Sequence, residues 1–90
     1  MPFALICTDK PGALDIRKAN RPAHLDYIET TGIVEQAGPL LDDAGAMCGS
    51  IVVLKTEDRS TAEDWAADDP YAKADLFASV SVLHWKRVVG

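Results

Sequence analysis

Short apolar runs bounded by turn-forming residues predict the strands of this chain. The first run, residues 2–8, contains no interior glycine or proline and stops at a turn over residues 9–12. Two further runs, 33–40 and 47–55, lie on either side of an acidic, glycine-containing turn at 42–45. This pair of runs predicts a hairpin.

Between the first two strands the pattern changes to helical spacing. Apolar and charged positions over residues 13–31 recur every three or four residues, and Gly32 follows as a residue suited to a left-handed C-cap. Pro22 fits poorly inside a helix because it lacks an N–H and crowds the preceding turn. We therefore expect a break or bend near Asn20, with the second half of the helix beginning around Pro22.

A second helix is predicted before the last strand. Ser60 and Glu63 have the spacing of a capping box, in which the serine hydroxyl accepts from the backbone N–H of Glu63 and the carboxylate reaches back. The helix is expected to begin at Ser60 and to end near Asp68, because Pro70 restricts the residue before it. Asp69 can then cap a short extra turn that Pro70 opens.

The last apolar run, residues 77–89, predicts a long strand with apolar side chains on both faces. Helices on one side of the sheet and a second subunit on the other would bury both faces. The order strand, helix, strand, strand, helix, strand predicts an α+β, ferredoxin-like sandwich. A chain of 90 residues accommodates one domain, 1–90, and a domain this small gains stability from pairing with a second copy.

The composition indicates which partners and which cellular compartment to expect. The chain has 9 Lys and Arg against 14 Asp and Glu, a formal net charge of -5, so nucleic-acid binding is not expected. No apolar run approaches the roughly 20 residues of a membrane span, and the first residues lack the features of a signal peptide, so we expect a cytoplasmic protein. Cys7 and Cys48 lie in separate apolar runs, which favours buried thiols over a disulfide, a zinc site or a nucleophile.

Four short motifs occur in a distinctive order along the chain. They are Arg21-Pro22-Ala23-His24-Leu25, Ala37-Gly38-Pro39-Leu40, Gly49-Ser50 and Asp69-Pro70-Tyr71. An aromatic residue near the end of the last strand follows them. Their order and spacing, which cover nearly the whole chain, resemble those of the YciI-like (YCII-related) family.

The resemblance implies an assembly and a site. Members of this family are expected to form dimers of ferredoxin-like subunits whose sheets face one another, a dimeric α/β barrel. Their active-site cleft contains a His and an Asp at the positions that match His24 and Asp69. One branch removes chloride from a chlorinated hydroxyquinone, and the related muconolactone isomerases move protons on small lactones.

His24 and Asp69 are suited to acid–base chemistry. Histidines in model peptides titrate at about pH 6.5, and a hydrogen-bonded carboxylate can select one tautomer of the imidazole. Without the resemblance, His24 is better explained as a partly exposed helix residue, and Asp69 as an N-cap that accepts backbone N–H bonds. The capping and catalytic roles of Asp69 are compatible because a carboxylate has two oxygens.

The candidate substrate-binding residues are Arg21, Ser50, Gly38 and Pro39. Arg21 and Arg17 precede the histidine on the same helix face and can present donors to an anionic or phenolate substrate. The alternative is a solvated charge paired with a nearby acid; both interpretations stand for Arg21, and the solvated one is expected for Arg17. Ser50 is expected to bind a ligand rather than act as a nucleophile, since no Gly-x-Ser-x-Gly motif surrounds it. Gly38 and Pro39 either shape the backbone beside the cleft or form a strand bulge.

The resemblance, taken together with these residues, implies two alternative functions. The first is a cofactor-independent lyase or isomerase that acts on a small cyclic or aromatic, oxygenated molecule, with His24 carrying the proton and Asp69 orienting it. The second is a non-catalytic binding or accessory dimer whose cleft holds a small molecule unchanged. No metal is expected, because His24 and His84 are far apart and have no carboxylate ligand pattern around them.

Overall fold

The computed structural model describes residues 2–90, which form a four-stranded antiparallel sheet and three helices. The strands are β1 (Phe3–Asp9), β2 (Val34–Leu41), β3 (Met47–Leu54) and β4 (Phe77–His84). The helices are α1 (Leu14–Thr31), α2 (Arg59–Asp68) and α3 (Pro70–Lys73). The strand order β2-β3-β1-β4 is that of the ferredoxin-like βαββαβ sandwich, so the predicted α+β fold class is confirmed. Within residues 2–90, no helix combines the length and the apolar character needed to cross a membrane.

The hydrophobic core lies between the sheet and the two longer helices. Alternate residues of β1 and β3 face the helices, and Phe3 and Leu5 pair in register with Leu54 and Val52. Trp65 of α2 packs on this layer. Each large apolar side chain contributes about 1.5–3 kcal/mol on burial, so a one-residue slip of either strand would turn these side chains away from the core.

Two hydrogen bonds join α1 to α2. The hydroxyl of Tyr27 donates to the backbone carbonyl of Trp65 at 2.8 Å, and the indole Nε1 of Trp65 donates to Oγ1 of Thr31 at 2.9 Å. Burial raises the pKa of Tyr27 to about 12, so its hydroxyl remains a donor at neutral pH. These bonds hold α1 against the C-terminal half of α2, and therefore against the junction between α2 and α3.

Helix α1 is continuous over Leu14–Thr31 although Pro22 lies inside it. The break expected near Asn20 is therefore wrong, and the alternative, a bend, stays a prediction. Pro22 and Lys18, whose carbonyl loses its helical donor, are both exposed, so water can hydrate that carbonyl. The Asn20 side chain donates to a carbonyl one turn earlier at 2.9 Å. The helix ends at Gly32 in the left-handed conformation, φ 68°, as predicted.

Helix α2 begins at Arg59, one residue before the predicted start, and its cap is Asp58. The Asp58 carboxylate accepts from the backbone N–H of Ser60 at 3.2 Å and from the hydroxyls of Ser60 and Thr61 at 2.9 Å each. The hydrogen bond from Thr61, followed by those from Ser60, lowers the pKa of Asp58 below its usual 3.8. The capping box predicted at Ser60 and Glu63 does not define this helix start, since the charged carboxylate is the stronger acceptor.

Strand β4 ends at His84, so the prediction that it extends to residue 89 is wrong. Its sheet neighbour β1 begins at Phe3, which pairs with His84. The backbone N–H of the next residue, Trp85, donates to the carbonyl of Pro2 at 3.0 Å. The chain then leaves the sheet edge. An ion pair of 3.0 Å between Arg87 and Glu35 brings this segment to the opposite edge of the sheet, where β2 lies.

The face of the sheet opposite the helices is apolar and partly open. Ile51 of β3 is 39% exposed and Leu83 of β4 is 49% exposed. A hollow of about 530 Å³ lies over this face, with Trp85 among its walls. We call this surface, centred on Ile51, Leu83 and Trp85, the open face. The open face explains why the last strand carries apolar side chains on both of its faces.

Candidate functional site

His24 and Asp69 meet on the helix side of the sheet. Nδ1 of His24 lies 2.8 Å from Oδ1 of Asp69, although the two residues are 45 positions apart in the sequence. Both side chains are nearly inaccessible, with relative exposures of 8% and 4%. The contact between α1 and the α2–α3 junction thus brings together the two residues on which the catalytic hypothesis depends.

Asp69 is also the N-cap of α3. Its Oδ1 accepts the backbone N–H of Tyr71 at 3.0 Å, so the same oxygen is shared by His24 and the helix start. Each carboxylate oxygen has two lone pairs, which allows both bonds. The predicted capping role and the contact with His24 therefore coexist. The backbone bond fixes the direction in which the carboxylate faces the imidazole.

Tyr71 covers the imidazole of His24. The two rings are stacked, with centroids 3.9 Å apart and planes 15° from parallel. Tyr71 is 1% exposed, and burial raises the pKa of its hydroxyl. In the sequence, Tyr71 was notable only as the last residue of the motif Asp69-Pro70-Tyr71. One feature of the sequence could have indicated its role: Tyr71 lies two residues after the capping Asp69, and the short helix α3 turns its ring toward His24.

Arg17 is buried rather than solvated, which corrects the sequence-based prediction. Its side chain is 2% exposed and binds Asp9 at the end of β1, with Nε 2.7 Å and Nη2 2.8 Å from the two carboxylate oxygens. Burial by itself would lower the pKa of the guanidinium, but the hydrogen bond and the charge of Asp9 outweigh it, and the pKa lies above its ordinary value. Helical spacing placed Arg17 on the same face as His24 but did not reveal that the end of β1 lies opposite.

Ser50 lies beneath the site and contacts it through Arg17. Its hydroxyl oxygen accepts from Nη2 of Arg17 at 2.9 Å, and the residue is 3% exposed. The register of the sheet places Ser50 between Cys7 and Pro39. Direct binding of a ligand by Ser50 remains a prediction.

A cleft of about 340 Å³ opens between α1 and β2. Its walls include His24, Arg21 and Tyr71 on the helical side and Gly38 and Pro39 on β2. The structure therefore gathers three of the four predicted substrate-binding residues around the histidine. Arg21 is exposed, so its guanidinium is accessible from solvent.

Gly38 and Pro39 lie within regular pairing of β2 with β3. Gly38 pairs with Ile51 and Pro39 with Ser50, whereas the register shifts of this strand occur nearer its two ends. The strand bulge that sequence analysis allowed at Gly38 and Pro39 is therefore absent from these two positions. Proline is tolerated there because β2 is an edge strand.

The remaining candidate groups lie outside this cleft or are chemically inert. Burial, followed by the negative charge of Asp69, raises the pKa of Cys7 to about 12, and an uncharged thiol is a weak nucleophile. Cys48 is half-buried, and both cysteines are free thiols. Residues 2–90 contain no cluster of three or more His, Cys, Asp or Glu side chains that could hold a metal ion. A wider groove of about 680 Å³ beside Asn20 and Lys73 contains neither His24 nor Asp69.

The chain as a whole is similar to known proteins. A family model described as the YCII-related domain matches residues 1–86. The protein YciI of Escherichia coli O6:H1 is 34% identical over 97 residues, which covers 98% of this chain and 99% of that protein. The similarity therefore extends over nearly the full length of both chains.

The chain is also similar to proteins of known structure. The 5-chloro-2-hydroxyhydroquinone dehydrochlorinase TftG of Burkholderia phenoliruptrix AC1100, solved in complex with 2,5-dihydroxybenzoquinone, is 34% identical with a TM-score of 0.86. The match covers 96% of this chain and 94% of that chain. Rv0793 of Mycobacterium tuberculosis, at 16% identity and a TM-score of 0.56 over 100% of both chains, shares the fold alone.

Proposed function

The chain belongs to the YCII-related domain family, and on this premise we propose that it is a cofactor-independent enzyme that moves protons on a small cyclic or aromatic, oxygenated substrate. His24 carries the proton, and Asp69 orients the imidazole. The observation that supports this most directly is the contact of 2.8 Å between Nδ1 of His24 and Oδ1 of Asp69 at the wall of a cleft. The reaction class is that of a lyase or an isomerase.

The contact distinguishes the two nitrogens of the imidazole. An ionised carboxylate can only accept hydrogen bonds, so we infer that Nδ1 of His24 carries a proton and donates it to Asp69. In the neutral ring Nε2 then holds a lone pair that can take a proton from a substrate. In the charged ring the same nitrogen returns the proton, while the negative charge of Asp69 stabilises the imidazolium.

Burial strengthens the attraction between Asp69 and a charged His24 ring. Charges attract one another more strongly where little water lies between them, and both side chains of the pair are buried. Tyr71 covers one face of the His24 ring at 3.9 Å, which keeps water from that face. A ring held by a carboxylate at Nδ1 and by an aromatic surface on one side has little freedom to turn away from a substrate.

The cleft is suited to a planar ring with acidic oxygens. Its volume of about 340 Å³ is at the lower end of the range of roughly 300–1,000 Å³ for small-molecule sites. Arg21 offers a planar set of donors at the cleft, which matches paired oxygens better than a lysine would. The 2,5-dihydroxybenzoquinone bound by TftG belongs to this chemical class. Removal of HCl, the reaction named for TftG, releases a proton and a chloride ion and needs no oxidant or reductant.

Chloride release from 5-chloro-2-hydroxyhydroquinone tests the proposal. We expect turnover by the unsubstituted chain and a loss of about 10²-fold or more in kcat/KM for His24→Ala, because general acid–base catalysis contributes about 10²–10⁴-fold. The matched control is His84→Ala. His84 lies on β4, outside the cleft, and its ring centroid is 4.4 Å from that of Phe3 on β1. This variant should therefore retain activity.

Binding of 2,5-dihydroxybenzoquinone, measured by calorimetry on the same proteins, separates catalysis from simple binding. A chain that binds this compound but returns the chlorinated substrate unchanged is a binding module. Equal turnover by His24→Ala would remove the histidine as the proton carrier. If the chain neither binds nor converts any of a series of hydroxylated aromatic and quinone compounds, the proposed substrate class is excluded.

The proposal includes a homodimer formed through the open face. Ile51 and Leu83 leave apolar surface in water on a chain that buries a limited core, and a second copy of the same face would cover it. Gly38 and Pro39 border both the cleft and the hollow over the open face. A second copy would therefore lie directly behind one wall of the cleft.

A further inference from the structure

Arg17 and Asp9 form a buried ion pair beneath the candidate site. The guanidinium uses Nε and Nη2 to bind both oxygens of Asp9, at 2.7 and 2.8 Å, and Nη2 also donates to the hydroxyl of Ser50 at 2.9 Å. The side chains of Arg17 and Asp9 are 2% and 5% exposed. These bonds attach α1 to the end of β1 and to β3, so the guanidinium has a fixed position.

The guanidinium also contacts the aromatic ring that covers the histidine. Cζ of Arg17 lies 4.7 Å from the centroid of the Tyr71 ring, within the reach of about 6 Å for a cation–π contact. The same ring stacks on His24 at 3.9 Å, and the backbone N–H of Tyr71 binds Asp69. Tyr71 is therefore the residue through which Arg17 can act on both members of the pair.

A gain in folding stability is a poor explanation for the buried ion pair of Arg17 and Asp9. Withdrawing two charges from water can cost as much as their attraction returns, and apolar residues of similar volume often stabilise a core equally well or better. The buried residues of α1 are Arg17 and His24, two polar side chains that lie two turns apart on the same face. The helix thus directs its two buried polar groups toward Tyr71 from the same side.

We propose that Arg17 is a positioning residue of the site. Held by Asp9 and Ser50, its guanidinium keeps the Tyr71 ring against His24 and so sets the plane of the imidazole. Its importance for catalysis rests on the proposed function of His24. Its effect on the position of the imidazole is a property of the folded chain and needs no substrate.

Proton NMR of the His24 ring tests this role directly. Protons that lie over the face of an aromatic ring are shifted upfield, so stacking on Tyr71 shifts the imidazole signals of His24 relative to the urea-unfolded chain. The chain has 2 histidines, and a His84→Ala background leaves one set of imidazole signals. In this background, Asp9→Leu combined with Arg17→Met removes both charges, so that neither is left buried alone.

We expect the double variant to fold, with an unfolding midpoint in urea near that of its parent, and to lose most of the upfield shift. Arg17→Lys, which keeps the charge but not the planar fork, should lose part of the shift. Lys18→Met is the control, because Lys18 is the exposed neighbour of Arg17 on α1, and it should keep the full shift.

Two results would overturn the positioning role. One is a folded double variant, or a folded Arg17→Lys, with the full shift. The other is a double variant that fails to fold, because the pair would then be required for stability. The measurement uses no substrate, so it stands apart from the turnover of His24→Ala. Loss of the shift together with unchanged turnover in His24→Ala would support the positioning of the ring and reject the proposed function.

Discussion

Oδ1 of Asp69 accepts from the backbone of Tyr71 and lies 2.8 Å from Nδ1 of His24, so one buried oxygen both begins a helix and orients an imidazole. This arrangement couples the local structure of α3 to the candidate chemistry. It also means that a substitution of Asp69 must preserve the cap if it is to report on the chemistry alone.

Asp69→Asn meets this requirement. The amide oxygen of asparagine can still accept the N–H of Tyr71, but the side chain has no charge to stabilise an imidazolium. We expect an unchanged fold and a loss of about 10²-fold or more in kcat/KM for chloride release from 5-chloro-2-hydroxyhydroquinone. Asp68→Asn, at the exposed neighbouring aspartate, is the control and should retain activity. Full activity of Asp69→Asn would show that the carboxylate charge has no part in turnover.

Ile51→Arg should break the proposed homodimer. An arginine at the centre of the open face places an unpaired charge in the interface, while the 39% exposure of Ile51 lets a lone subunit hydrate it. Light scattering should show twice the 9.7 kDa chain mass for the unsubstituted protein and the single chain mass for the variant. Ile16→Arg is the matched control, because Ile16 is 40% exposed on α1. A monomeric unsubstituted protein would contradict the prediction.

Gly49→Ala should destabilise the sheet. A Cβ at this position would overlap the backbone carbonyl oxygen of Cys7 on the neighbouring strand, which cannot move without disturbing the ladder. We expect a loss of about 1–3 kcal/mol or more in the free energy of unfolding, measured with urea. Gly38→Ala is the control: no atom lies within 4 Å of a Cβ placed there, and its cost should stay within about 0.5 kcal/mol. Equal stability of the two variants would contradict this account of Gly49.

The Asp58 cap should make stability depend on pH in the acid range. Its pKa is lowered in the folded chain, chiefly by the hydrogen bond from Thr61 and then by those from Ser60, so the unfolded chain binds this proton more tightly. The stabilising contribution is therefore complete above the usual value of 3.8 and is lost as the pH falls through the lowered value. Asp58→Asn, a neutral cap, should unfold at lower urea than the unsubstituted chain at pH 7.

That difference in urea midpoint should shrink as the pH falls below about 3.8. Thr56→Ala is a suitable control, because its hydroxyl accepts the backbone N–H of Asp58 at 3.1 Å and carries no charge. Its effect on the midpoint should be insensitive to pH. A difference between the unsubstituted chain and Asp58→Asn that stays constant from pH 7 to below 3.8 would show that the cap does not depend on its charge.

The elements of the fold were predictable because their signals are local. The strands follow from apolar runs, and the end of α1 follows from Gly32. The sequence-based predictions failed where the surroundings of a residue outweighed its local preference. Pro22 is tolerated inside a helix because Lys18, whose carbonyl loses its helical donor, is exposed to solvent. Asp58 replaces Ser60 as a cap because a carboxylate is the stronger acceptor. The last strand ends at His84, which pairs with Phe3, the first residue of β1.

The members of the site were predictable only in part. Motif order identified His24 and Asp69, and helical spacing placed Arg17 on the same face as the histidine. Nothing in the spacing indicated that Asp9 would neutralise Arg17 or that Tyr71 would cover the imidazole. Those relationships depend on which parts of the chain lie opposite one another.

Local sequence was enough to predict the element types, their order and the alternation that assigns side chains to the two faces of the sheet, because each depends on residues within a turn or two of one another. Packing of the whole chain brings His24 to Asp69, buries Arg17 and puts Ser50 behind it. Such contacts join residues distant in the chain, and their distances are set by the packing of helices on the sheet as a whole.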